Sequence, residues 1–464
     1  RGYHLRIRGE RGEGHPPIVM PGVSETGSSD LAFSVRGDLT VRGFYVSHID
    51  DAGGLQQRTF RVRTDQARVV LDSMFVDADG QSVFRTDGEG ARIFVTNSHL
   101  RNQVTLSSPD NGRIVDTRGN SPDTLWMENN TMYHFSQDII RGAGAILPFV
   151  YFNHNTVYNG GEELDLERVV KAVITNNLLV NAPTDFTDDD PEDGMDRLDP
   201  FIRIDSLNAE NMTEAERSIR IAHNNYYFTD EWTTFYESID SIFARPMLNE
   251  RGQFLADNNP NIVVENNISS AVTFADAPAS DTYIEFRRMR LTDPANENPP
   301  DFRADKNGIF DGLDFAKVGI GDLPYDFDFS YPTTESSYTA AEDGFPVGDL
   351  NWFPARKAAW VATDTDVQAE LPARLHLHGN YPNPFNPSTA IVFDLARAAE
   401  VSVAVFDLLG RRVMTLPSQV MTAGTGLSVT LDAGSLASGT YLYRLTAQSA
   451  GREDVATGRL VLVK

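Results

Sequence analysis

The 464-residue sequence contains no cysteine. Disulfide cross-links, thiol catalysis and thiolate metal sites are therefore excluded, and the compartment stays open because exported proteins need not use disulfides. Positive charge is scarce as well, with 40 Lys+Arg against 66 Asp+Glu and a formal net charge of -26. Such a chain repels polyanions, so nucleic acid is not an expected partner. No uninterrupted apolar run reaches the length of about 18 residues that would read as a membrane span. The sequence begins at Arg1 without a basic, apolar, small-residue leader, which fits a removed export signal or a late start. A hydrophobic share of 41% suffices to bury a large core, and at roughly 150 residues per domain the length implies two to four domains.

What the sequence does contain is repetition. Residues 69–76, 93–100, 125–133, 150–158, 172–180, 221–227 and 263–268 each join a short β-rich run, one or two small polar residues that usually include Asn, and a second β-rich run. Aligned on Ser73, Ser98, Asn130, Asn155, Asn177, Asn225 and Asn267, the copies recur at intervals of about 22 to 48 residues, within the range of solenoid repeats. Coils of this size predict a right-handed parallel β-helix over residues 1–275. Asn130, Asn155, Asn177, Asn225 and Asn267 are expected to stack near one corner, because Asn tolerates the left-handed conformation and its amide can bond the next coil. The two longest intervals mark excursions, the second of which carries Trp232, Phe235 and Tyr236 and predicts a short helix plus loop. Residues 276–354 read as an irregular closing segment packing its aromatics on the solenoid, and residues 355–378 as a linker.

The last stretch is different in kind. Asn380-Tyr381-Pro382-Asn383-Pro384-Phe385-Asn386-Pro387-Ser388-Thr389 is followed by alternating β-rich runs at 401–413, 437–445 and 459–464, with turn signals at Asp407 to Gly410 and Ser438-Gly439. These predict a small β-sandwich. In strand order, the NPFNP motif and the basic last residue, residues 379–464 closely resemble the type A C-terminal sorting domain of type IX secretion substrates from Bacteroidota and related phyla. The resemblance implies an immunoglobulin-like fold, type IX secretion machinery as a partner, and a secreted, extracellular or cell-surface destination. Residues 1–354 resemble, more loosely, the pectate-lyase-like β-helix superfamily, and Gly348-Asp349-Leu350-Asn351-Trp352-Phe353-Pro354 looks like the closing segment of type IX passengers of that shape. The expected fold class is thus all-β, a right-handed parallel β-helix followed by a small immunoglobulin-like β-sandwich.

The coils carry several acidic and basic side chains. A uronate lyase needs a base, usually Arg or Lys, and a cation or basic group to neutralise the substrate carboxylate. Arg92, Arg113, Arg118, Arg141, Lys171 and His154 are available, with Asp138, Glu162, Asp165 and Glu167 as acids, yet none forms a spaced signature. Coil-face arginines more often pair with acids, and the carboxylate strings of a polygalacturonase-type hydrolase are missing. His154 and His223 sit beside the Asn corner, where a structural hydrogen bond is the simpler role. No catalytic and no organic-cofactor residue is assigned. Asp188, Asp189, Asp190, Glu192, Asp193, Asp196 and Asp199 supply hard oxygen ligands suited to Ca2+, with a solvated acidic loop as the alternative. Asp305 to Asp314 gives a weaker hint of the same kind. Trp352 and Trp360 are read as packing residues rather than sugar platforms. The leading expectation is an exported, noncatalytic cell-surface or extracellular structural protein, capable of self-assembly into a homopolymer or filament. The rival is a secreted polysaccharide lyase acting on an acidic glycan.

Overall fold

The computed structural model describes residues 4–10, 17–19, 33–48, 58–77, 80–104, 108, 110–184, 200–207, 213–239, 246–293, 299–304, 327–363, 375–395, 399–407, 411–421, 424–449 and 452–464. The chain divides into two compact units, residues 3–357 and 358–464.

In the first unit the chain returns again and again to three parallel sheets. The first has nine strands, from His4–Arg8 through Asp38–Arg42, Arg68–Asp72, Arg92–Thr96, Thr124–Glu128, Leu147–Asn153, Val169–Thr175 and Ser218–Ala222 to Ile262–Glu265. The second runs through Ile18–Val19, Tyr45–Ser47, Phe75–Asp77, His99–Gln103, Thr131–Phe135, Thr156–Gly160, Leu178–Val180 and Asn225–Tyr227. Phe33–Val35, Arg58–Val62, Ser82–Thr86, Arg113–Asp116 and Ile140–Arg141 make the third. Every pairing is parallel, which defines a parallel β-helix. Register explains the core: Leu39, Val69, Ile93, Leu125, Val150, Ala172, Ile219 and Ile262 fall in one column of the first sheet. Val46, Val76, Leu100, Met132, Val157 and Leu179 form the facing column of the second. All are buried in one continuous cluster, each Val, Leu, Ile or Met side chain contributing about 1.5 to 3 kcal/mol.

The corner between the first and second sheets corrects the expected Asn alignment by one residue in two coils. Ser73, Asn97, Asn129, His154, Asn176, His223 and Asn266 hold positive φ, and the next residue supplies the ladder. Asn130 Nδ2 donates to Asn155 Oδ1 at 2.9 Å, Asn155 Nδ2 to Asn177 Oδ1 at 3.2 Å, Asn177 Nδ2 to Asn224 Oδ1 at 2.8 Å, and Asn224 Nδ2 to Asn267 Oδ1 at 2.9 Å. Asn225 is therefore not a ladder member; its amide donates to Ser270 O and Ser337 Oγ. Ser73 likewise is the left-handed residue of its coil. Two duties assigned to one Asn are split between neighbours: one residue makes the turn and bonds outward, and its successor buries an amide against the coils on either side.

A second corner follows four residues later at Asn102, His134, Asn159 and Asn181, again with positive φ. Asn181 Nδ2 donates to Asn159 Oδ1 at 3.0 Å, and Asn159 Nδ2 lies 3.0 Å from His134 Nε2. Helix α1 (Asp230–Ser238) occupies the excursion flagged by Trp232, Phe235 and Tyr236, and those rings pack with Tyr283 and Phe286 of α3 (Asp281–Thr292) and with Phe302. Between them α2 (Glu250–Asn258), N-capped by Asn249, sends Leu255 into the main core at the level of the last coil. Helix α4 (Pro354–Thr363) lies where the sequence reads as the start of a linker.

The second unit is an antiparallel sandwich. Leu375–Tyr381, Ser388–Leu395 and Gly424–Asp432 form one sheet; Arg412–Met421, Ala399–Phe406, Gly439–Ser449 and Arg452–Leu462 form the other. Its separate core contains Phe385, Ile391, Phe393, Val403, Leu445 and Leu460.

Candidate functional site

Residues 340–357, which include the GDLNWFP stretch, lie along the first corner and touch its left-handed residues in order. His223 Nδ1 donates to Ala340 O at 3.1 Å, and Asn176 Oδ1 accepts from Glu342 N at 2.9 Å. One coil on, His154 Nδ1 donates to Gly348 O at 3.1 Å; next, Asn129 O accepts from Asn351 Nδ2 at 2.9 Å; finally Lys357 Nζ reaches Asn97 Oδ1 at 2.5 Å. Gly348 is required here, with φ +86° and a Cβ position 2.6 Å from Thr156 Oγ1. Asp349 is fully buried, accepting from Thr131 Oγ1 at 2.8 Å and from Asn351 N at 2.8 Å. Burial pushes its carboxyl up to about 7, against the opposing pull of those donors and Lys357. His154 is thus structural, and burial lowers its imidazole to about 3.

The acids and bases weighed from sequence converge only in part. Arg113 Nε pairs with Asp138 Oδ2 at 3.1 Å and Arg113 Nη2 donates to Gln137 Oε1 at 3.2 Å. Arg203 binds Glu163 at 2.8 Å and Glu167 at 3.7 Å. Asp165 accepts from Gly142 N at 3.0 Å. Burial, helped by the charges of Asp165 and Glu163, raises the Asp138 carboxyl despite Arg113, and Glu162 hydrogen-bonds to it. Asp165 and Glu167 are raised by burial too. Burial thus favours the protonated form of these acids, but Arg113 and Asp138 are buried and already paired. Arg141 lies opposite Asp116 in register and Arg118 pairs with Asp116 at 3.9 Å. Arg92 and Lys171 stand apart on the first sheet, Lys171 opposite Phe149.

Asp188, Asp189, Asp190, Glu192, Asp193, Asp196 and Asp199 lie outside the described residues, as does the Asp305 to Asp314 stretch. Among the described residues no group of three or more His, Asp or Glu side chains is arranged to hold a metal. One polar centre escaped sequence reasoning: Asp77 receives Tyr45 OH at 2.5 Å, Arg101 Nη2 at 3.0 Å and Asn102 Nδ2 at 2.8 Å, all buried. The second Asn corner was the available signal, since Asn102, Asn159 and Asn181 each follow a ladder residue by four.

In the sandwich, the NPFNP motif closes one edge of the last strand. Phe385 N donates to Val461 O and Val463 N to Phe385 O, both at 3.0 Å. Asn383 Nδ2 donates to Arg459 O at 2.9 Å while its Oδ1 accepts from Val461 N at 2.9 Å. Thr389 Oγ1 donates to Pro382 O at 2.7 Å, and Lys464 Nζ to Gly434 O at 2.7 Å. Covering an edge in this way removes a template for unwanted strand pairing.

The chain thus combines a parallel β-helix with a C-terminal antiparallel sandwich. Residues 380–454 match the family described as Secretion system C-terminal sorting domain. The tail is a type IX sorting domain, and the chain is sent to the extracellular space or the cell surface. Dimeric latent PorU from Porphyromonas gingivalis is similar at 23% identity over 19% of this chain and 9% of that one, with a TM-score of 0.17. CopC from Methylosinus trichosporium OB3b is similar at 20% identity over 19% of this chain and 93% of that one, with a TM-score of 0.16. The chain thus spans 9% of the PorU chain it matches. No curated protein matches it. Among the described residues no helix is long and apolar enough to cross a membrane.

Proposed function

We propose that this is a noncatalytic surface or extracellular structural protein, a rigid β-helix delivered by its sorting tail. The observation that supports the reading is the engagement of its reactive side chains: His154, Arg113, Asp138 and Asp349 are all buried and committed to internal hydrogen bonds or ion pairs. Self-assembly into a homopolymer belongs to this reading, as does Ca2+ bound by the acidic excursion containing Asp189 and Asp193. The purified chain is expected to scatter light as a growing oligomer with Ca2+ present, and EGTA to lower its melting temperature. Replacing Asp189 and Asp193 by Asn should abolish the EGTA response; identical melting curves with and without EGTA would remove Ca2+ from the reading. The second reading, a lyase on an acidic glycan, draws on one observation, the buried Arg113–Asp138 pair, in which burial raises the carboxyl. Incubation with polygalacturonate decides between them, since a rise in ultraviolet absorbance from unsaturated uronate, lost in Arg113→Ala, would sink the noncatalytic reading.

A further inference from the structure

The excess of negative charge is not shared by the tail. Of the 40 Lys+Arg and 66 Asp+Glu, seven and six lie in residues 375–464, which carry a net charge of +1 against -27 for residues 1–374. A tail as acidic as the passenger would be repelled by any acidic receptor. Exposed apolar area is concentrated there too: Tyr381, Val413, Val420, Leu442, Val455 and Val463 are six of the ten exposed large apolar side chains among the described residues.

Register places Leu442 and Val455 on one surface together with arginines, with Glu400 at its far end, whereas Tyr381 belongs to the three-stranded sheet. Along the four-stranded sheet, Val401, Val403, Val405, Tyr443 and Leu445 turn into the core, so the alternate residues face away from it. One cross-strand row reads Arg412, Phe406, Leu442, Arg459. The next reads Thr415, Ala404, Arg444, Thr457, and a third Ser402, Thr446, Val455. Leu442 is 46% and Val455 47% exposed, and the Arg444 guanidinium sits 5.7 Å from the centre of the Phe406 ring. Strands about 4.8 Å apart place Arg412 and Arg459 about 14 Å from one another across an apolar pair. On the outer side of the other sheet, Ser388, Ala390, Val392 and Asp394 alternate with the buried Thr389, Ile391, Phe393 and Leu395, and they include no arginine.

We infer that the outward face of the four-stranded sheet is the surface by which the sorting domain docks on the secretion machinery, and that its protein partner presents acidic groups around an apolar seat. The inference rests on the tail acting as the export signal. Leu442 and Phe406 supply the desolvated centre, and Arg412, Arg444 and Arg459 set orientation and speed of encounter.

The test follows export of the full-length chain in a type IX-competent bacterium, comparing extracellular with periplasmic protein. Arg444→Glu with Arg459→Glu should cut the extracellular fraction by about tenfold or more, the change expected from losing 1.4 kcal/mol of docking energy. Arg444→Lys with Arg459→Lys should stay near wild type, as should Ser428→Glu on the other sheet. Leu442→Gln supplies an independent variant, and all are compared only where purified protein melts as wild type does. Wild-type export of the double Glu variant, with export lost on deletion of residues 375–464, overturns the docking face and leaves the signal intact. Unchanged export on that deletion instead overturns the reading of the tail as the signal. Binding of the wild type, but not the double Glu variant, to phosphatidylglycerol vesicles would replace the protein partner by a lipid surface and overturn the inference as stated.

Discussion

Asn177 makes four side-chain hydrogen bonds inside the coil stack: to Phe152 O at 2.8 Å, to Asn224 Oδ1 at 2.8 Å, and from Asn155 N and Nδ2 at 2.9 and 3.2 Å. Asn177→Leu strands those partners in a dry interior and should cost about 1 to 3 kcal/mol. A urea midpoint equal to wild type would show that the ladder carries no stability. Titration at single residues pulls in two directions. His134 is lowered to about 4 and His48, His99 and His154 to about 3, all chiefly by burial. Their unfolded counterparts take up protons near 6.5, so these residues remove stability as pH falls through 6.5 towards 3 or 4. Asp349, raised to about 7, works the other way: between about 4 and 7 the native state holds a proton the unfolded chain has released, and stability falls as pH rises. Asp349→Asn removes that dependence. Its melting temperature relative to wild type should therefore climb from pH 5 to pH 8; a constant difference would show that Asp349 stays ionised. Residue types around the corner were legible in the sequence, but a one-residue shift at Asn225 was not, because adjacent polar residues at 224 and 225 satisfy the same pattern.

At the level of elements, the coil strands were read from the repetition of β-rich runs and the sandwich from alternation and turn signals, and both stand. The closing segment was harder. The stretch from Ala340 to Lys357 carries no periodicity of its own, and its partners at Asn97, Asn129, His154, Asn176 and His223 are distant in the chain. Only the fold brings them together. Gly348→Ala forces a left-handed backbone onto a residue with a Cβ and drives that Cβ against Thr156 and Leu178; a loss of about 1 to 3 kcal/mol by urea titration is expected, and a loss near zero would mean the segment is not held there. In the tail, Asn383→Ala removes two hydrogen bonds to the last strand. Faster amide exchange at Val461, with the Leu445 amide unchanged, is the expected result; equal exchange at both would argue against the clip.

For the molecule as a whole, two cores without shared members, one around Val150 and Phe152 and one around Phe393 and Leu445, predict two separable unfolding transitions. Deleting residues 375–464 should abolish one calorimetric transition and leave the other within a few degrees; loss of both would show a single cooperative unit. The charge division between the units was open to counting in the sequence, whereas the gathering of Arg412, Arg444 and Arg459 on one face depended on register. The segment lying along the corner has a final consequence. Solenoids ordinarily change length freely, because each coil meets only its neighbours. Here residues 340–357 touch five successive coils, from His223 to Asn97. They act as a ruler laid against the stack. Inserting one coil displaces everything beyond it by about 4.8 Å and throws later marks out of step, so the number of coils in this stretch is fixed by a part of the chain that belongs to none of them.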